Sequence, residues 1–177
     1  MEAFAMVKKE QSNREDLIAA SRRAEAPILA ELAQLGFQLK GLSDLYSRLR
    51  SDILDTGEEV LQVKRVEDLY RKPIDYRAAI PVLLKWLPLV DDIAVKTELV
   101  RALTIKWAKP VAAWPLIEEF RKAPVEETDF EWVDFKWVIG SALSEVADAS
   151  VFDEIVELVR DKRHGGAREM LAVALSN

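Results

Sequence analysis

One pattern, repeated three times between Ile80 and Leu175, restricts what this chain can fold into more than any other feature. Each copy reads as a short apolar helix, a turn, and a second helix that closes on Ala-Leu. The first helices fall at residues 80–86, 114–120 and 152–158, and the second at 95–103, 135–143 and 167–175. Pro81 and Pro115 lie 34 residues apart, Ala102 and Ala142 lie 40 apart, and Ala142 and Ala174 lie 32 apart. Periods of this size mark stacked helix pairs. A lone pair cannot bury its apolar face, so each copy needs its neighbour.

The second helices carry apolar residues at i, i+4, i+7 and i+8. These are Val95, Leu99, Ala102 and Leu103, then Phe135, Ile139, Ala142 and Leu143, then Ala167, Leu171, Ala174 and Leu175. That spacing draws one buried helix face. The recurring alanine predicts close approach of neighbouring helices. Pro81 and Pro115 are expected in the first turn of their helices, where a missing N–H costs nothing. Asp153 takes that place in the third copy, suited to the helix dipole.

The succession of apolar residue, basic residue, helical stretch and Ala-Leu resembles the second helix of HEAT-like repeats of the phycobilin-lyase type, over about residues 74–177. The segments Ala79-Ile80-Pro81-Val82-Leu83-Leu84 and Arg101-Ala102-Leu103-Thr104 are similar to uncharacterised bacterial HEAT-repeat proteins, as is the stretch 163–171. The resemblance implies an all-α, armadillo-type fold: a short right-handed α-α superhelix of about three helix pairs. Its repeats would span 74–108, 111–147 and 150–177, packed as one domain with an N-terminal helical cap and connecting segment over 1–73. That family includes scaffolds, lyase subunits and DNA glycosylases, so the fold alone implies no activity.

Composition narrows the function classes. The 177 residues carry a net charge of −6, which argues against nucleic acid and anionic membrane as partners. No apolar run reaches membrane-spanning length. Cysteine is absent, so thiol chemistry is excluded and a reducing cytoplasm is expected. The single histidine, His164, rules out a His-rich metal site and reads as solvent-facing polarity in a turn. Nucleophile elbow, phosphate-cradling loop and Rossmann fingerprint are all missing. No catalytic residue, metal site or cofactor is expected.

Along the N-terminal part, residues 1–11 read as a mobile arm and Ser12 or Asn13 as a helix cap. Pro27 is expected to divide two helices, and Gly36 to end the second. The phrases 42–46 and 66–70 read as two short anchors that pack a leucine and a tyrosine, with a polar loop at 51–59 between them. Asp75 and Ser150 are read as helix caps, and the acidic stretch 126–131 as a solvated loop.

In such arrays the second helices line the concave, binding face. Phasing them by Ala-Leu puts Thr97, Arg101 and Thr104 opposite the buried face in the first copy. Trp137, Ser141 and Ser144 occupy it in the second, and Glu169, Val173 and Ser176 in the third. A cation recurs on one flank: Lys96, Lys136 and Arg168. An exposed Trp beside an Arg is a typical binding anchor, so Trp137 and Arg101 are expected to grip a side chain or an acidic peptide of a protein partner. Packing of Trp137 against the neighbouring repeat or the acidic loop is the structural alternative. The cations could likewise bind a partner or bond acids and carbonyls of the adjacent turn. Trp86 reads as core, and Trp107 and Trp114 as a pair at the inter-repeat turn.

The favoured expectation is a non-catalytic interaction module, monomeric or weakly dimeric, that binds a protein or peptide. One alternative is a DNA glycosylase using Trp137, Asp134 and the Lys96, Lys136, Arg168 ladder, although a phosphate-tracking surface should be visibly basic. Another is a tetrapyrrole lyase-type subunit, implied by the repeat type alone.

Overall fold

The computed structural model describes residues 2–39, 62–124 and 130–176. The phrase 42–46, the loop 51–59 and the acidic residues 126–129 lie outside the described residues. Eight α-helices carry the described part: α1 Glu2–Leu32, α2 Asp68–Arg71, α3 Ile80–Trp86, α4 Ile93–Leu103, α5 Lys109–Lys122, α6 Phe130–Val146, α7 Phe152–Arg160 and α8 Ala167–Ala174. The strand content described is one two-residue antiparallel ladder, β1 Gln38–Leu39 on β2 Ile74–Asp75, with Gln38 opposite Asp75. Among the described residues no helix is long and apolar enough to cross a membrane.

The helices pair as the sequence copies do. Helix α3 packs on α4, α5 on α6, and α7 on α8, while α6 also packs on both α4 and α8. The predicted apolar faces make these contacts: Val95, Leu99, Ala102 and Leu103 are buried, and so are Phe135, Ile139, Ala142 and Leu143. In α8, Ala167 and Leu171 are buried but Ala174 and Leu175 only half so, because no further described helix covers them. Each of α3, α5 and α7 is entered through a one-turn 3-10 segment, at Arg77–Ala79, Lys106–Ala108 and Ala149–Val151. Helix α1 lies against α3 and α4 through its C-terminal part, where Ile28 and Leu32 are fully buried.

Two prolines behave differently from expectation. Helix α1 is continuous through Pro27, and α5 starts at Lys109, with Pro110 in its first turn and Pro115 in its interior. An interior proline frees the carbonyl four residues before it. Here those residues are Arg23 and Val111, both exposed, so water can satisfy what the helix loses. The burial of Ile28 and Leu32 beyond Pro27, and of Leu116, Ile117 and Phe120 beyond Pro115, holds each helix together. The expected arm over 1–11 is also helical from Glu2; its Ala, Met, Lys and Glu residues are good helix formers.

The caps refine the reading. Asp92 caps α4, accepting from the Val95 N–H at 3.0 Å and from Ser21 Oγ of α1 at 2.8 Å. Asp148, not Ser150, opens the third copy: its Oδ1 accepts from both the N–H and the hydroxyl of Ser150. Asp75 lies in β2 and starts the 3-10 turn by accepting from the Arg77 N–H at 3.1 Å. Trp86 is half-buried, with its Nε1 enclosed and without a hydrogen-bond partner. Trp107 meets Tyr76 edge to face at 5.9 Å, with the Arg77 guanidinium over its ring, while Trp114 is largely exposed.

Candidate functional site: a groove between α4 and α6

The outward faces of α4 and α6 meet along a shallow groove made of two adjoining hollows. The first, of 260 Å³, lies against Thr97, Glu98 and Arg101 of α4 and Glu131, Asp134 and Val138 of α6, with Ile93 and Ala94 at its end. The second, of 360 Å³, is lined by Arg101 and Thr104, by Trp137, Val138 and Ser141, and by Tyr70 of α2. Arg101 and Val138 belong to both, so they form the saddle. Trp137 is 50% exposed beside it.

Residues Thr97, Arg101, Trp137 and Ser141, singled out by helical phase, are therefore brought together. Ser144 sits one turn further on, its hydroxyl donating to the Ser141 carbonyl at 2.7 Å. Thr97 and Thr104 donate back to Ile93 O and Val100 O, at 2.7 and 2.9 Å, which leaves their oxygens able to accept from a ligand.

Tyr70 and Glu98 are among the members that helical phase does not find, with Glu131 and Val138. The Tyr70 hydroxyl donates to Glu98 Oε2, and Arg101 Nη1 donates to Glu98 Oε1 at 2.7 Å. Burial, and then the Glu98 carboxylate, push the Tyr70 phenol above its ordinary range, so it remains a donor. The buried Glu25 of α1 holds the chain just before α2. It accepts from the Val66 N–H at 2.6 Å and faces Arg65 Nε at 3.5 Å, anchoring the segment that leads into α2.

The cation ladder lies elsewhere and is occupied. Lys96 Nζ donates to Glu119 of α5 at 2.6 Å, and Glu119, only 2% exposed, also takes Lys122 at 2.8 Å. Lys136 is 4% exposed; its Nζ lies 3.3 Å from His164 Nδ1 and 5.5 Å above the Phe120 ring. Arg168 Nε donates to Val159 O at 2.6 Å. Each cation thus ties its second helix to a neighbouring segment, and Lys96 and Lys136 do not share the surface that Trp137 lines. Of the residues that a DNA-gripping face would use, Trp137 and Asp134 line the two hollows, whereas Lys96, Lys136 and Arg168 line neither.

His164 is a correction: it is buried at 8% exposure, not solvent-facing, and packs edge to face on Phe120 at 4.9 Å. A lysine ammonium can only donate. The ring therefore accepts at Nδ1, and its own proton sits on Nε2, the side facing Asp161 Oδ2 at 3.8 Å. Burial and then the Lys136 charge lower the His164 pKa, with Asp161 opposing. A histidine harder to protonate when folded adds stability that is complete above its ordinary value near 6.5. That stability is lost as pH falls below this value towards the depressed one. Denaturant melts of the wild type should weaken between about pH 7.5 and 5.5. The same series on His164→Gln should be flatter; equal slopes would remove the histidine from the account.

Among the described residues no cluster of three or more His, Asp or Glu side chains is arranged to hold a metal ion. Compared with known protein families, curated proteins and solved structures, the chain matches none of them.

Proposed function

We propose that the chain is a non-catalytic binding module: a short right-handed superhelix of HEAT-like helix pairs that holds a segment of a partner protein in the groove between α4 and α6. The observation that carries this reading is Trp137, a large ring left half in solvent in the second hollow, beside the saddle that Arg101 forms with Val138. Trp and Arg dominate the energetics of protein interfaces because they combine large contact area with directional donors. Arg101 is held in place by Glu98, which reduces the ordering cost of binding. The hydroxyls along the groove can accept from a backbone, and Tyr70 lines the second hollow.

The test is affinity capture from a native lysate with wild type and with a Trp137→Ala, Arg101→Glu variant, read by mass spectrometry. A partner held by wild type and lost by the variant supports the groove. Equal recovery by both moves the binding surface elsewhere. Because the ring is half-exposed, Trp137→Ala alone should change stability by no more than about 1 kcal/mol. Thermal melts check that the loss is one of binding, not of folding.

A further inference from the structure

Resting on the groove reading above, we infer that the bound segment is basic: it places a lysine or arginine in the first hollow and an apolar or aromatic side chain on Trp137. The first hollow is lined by three carboxylates, Glu98, Glu131 and Asp134, against one guanidinium, Arg101. That guanidinium already donates to Glu98. Glu131 has an interaction of its own, so the charge offered to a ligand is foremost that of Asp134, which is exposed with no ion-pair partner among the described residues. Apart from Thr97, its remaining walls, Ile93, Ala94 and Val138, are apolar. This is the environment a long basic side chain fits, with its methylene stem on apolar wall and its charged head at the carboxylates.

The second hollow complements it. Trp137, Val138 and Tyr70 offer apolar and aromatic surface immediately across the saddle. An indole face also accepts a cation. Because the two hollows share Arg101 and Val138, neighbouring side chains of one segment can fill both. The remaining donors of Arg101 are free to meet backbone carbonyls of that segment. An acidic peptide or a phosphate backbone would instead face Glu131 and Asp134. A second copy of a chain with net charge −6 would bring further repulsion.

The experiment is selection of displayed random 12-residue peptides on wild type, with counter-selection on Trp137→Ala. Enriched peptides are then measured by fluorescence anisotropy. The expected peptides combine Lys or Arg with an aromatic or aliphatic residue, and their affinity falls as salt rises. Reversing the rim with Glu131→Lys, Asp134→Lys should weaken them by about tenfold or more. The milder Glu131→Gln, Asp134→Asn pair should weaken them less, and it guards against a folding effect of the reversal. Neutral or acidic peptides, or basic ones indifferent to both rim variants, would overturn the basic-segment inference and leave the groove standing. Failure to enrich any peptide that distinguishes wild type from Trp137→Ala would overturn both. Displacement of the peptide by duplex DNA, or by excess unlabelled chain, would assign the groove to nucleic acid or to a second copy and overturn the inference.

Discussion

Replacing Lys96 with methionine is expected to lower stability by about 3 kcal/mol, at the low end of what breaking a buried ion pair costs. The Lys96 ammonium and the Glu119 carboxylate are both largely withdrawn from water and lie 2.6 Å apart. Taking away the cation leaves Glu119 buried with only Lys122, whose side chain is mostly in solvent and whose hold is correspondingly weaker. Ionised carboxylates in such surroundings are costly, so the loss comes from the partner left behind more than from the bond itself. Removing both charges, as Lys96→Met with Glu119→Leu, should therefore recover most of the loss. In a chain of this size the single change corresponds to a fall in Tm of roughly 6–12 °C. A loss under about 1 kcal/mol, or a double variant no better than the single, would show that the pair is not a buried tie between α4 and α5.

Gly140→Val should cost a comparable amount, about 1–3 kcal/mol or somewhat more. A Cβ at this position would lie 2.7 Å from Met170 Cβ and 3.5 Å from the Ala167 carbonyl oxygen. Real side chains do not approach so closely, and the obstructing atom is the root of Met170, not its flexible end. Helices α6 and α8 must move apart or rotate. Gly140→Ala isolates the contact, since alanine would otherwise gain about 1 kcal/mol over glycine in a helix interior. It should be neutral or destabilising here, and Met170→Gly should make the same change favourable. Additive effects of the two substitutions would place the helices further apart than described.

These two sites show where local pattern stops being informative. The apolar faces of α4 and α6 follow from spacing within one helix, so Val95, Leu99, Phe135 and Ile139 could be assigned without knowing their partners. The close helix approach was expected at the repeated alanines, of which Ala102 and Ala142 are buried. Gly140, which in sequence looks like a weak point of a helix, is the residue against which Met170 leaves no room for a Cβ. That is a fact about α8, 30 residues on. The prolines erred for a related reason: the rule that proline ends a helix is local, and the burial of Ile28 and Phe120 that overrides it is not.

The groove divides in the same way. Thr97, Arg101, Trp137 and Ser141 share a face by periodicity alone. Tyr70 reaches Glu98 from 28 residues away, through a segment pinned by Glu25, and no spacing rule connects them. The cation after the first apolar residue was legible as a recurring position but not as a role. Its two candidate roles differ only in whether a partner residue such as Glu119 or His164 lies above it. A histidine next to Gly165 and Gly166 looks like a turn residue in the sequence, whereas the His164 ring folds back beneath Lys136 onto Phe120.

The most direct measurement is photocrosslinking with p-benzoylphenylalanine in place of Trp137, Trp114 or Val173, three exposed apolar positions on α6, α5 and α8. Irradiation in native lysate, followed by mass spectrometry, reports which surface touches a partner. A discrete adduct is expected from position 137, suppressed in an Arg101→Glu background, and none from 114 or 173. Adducts from 114 or 173 with none from 137 would contradict this expectation and place the working surface outside the groove.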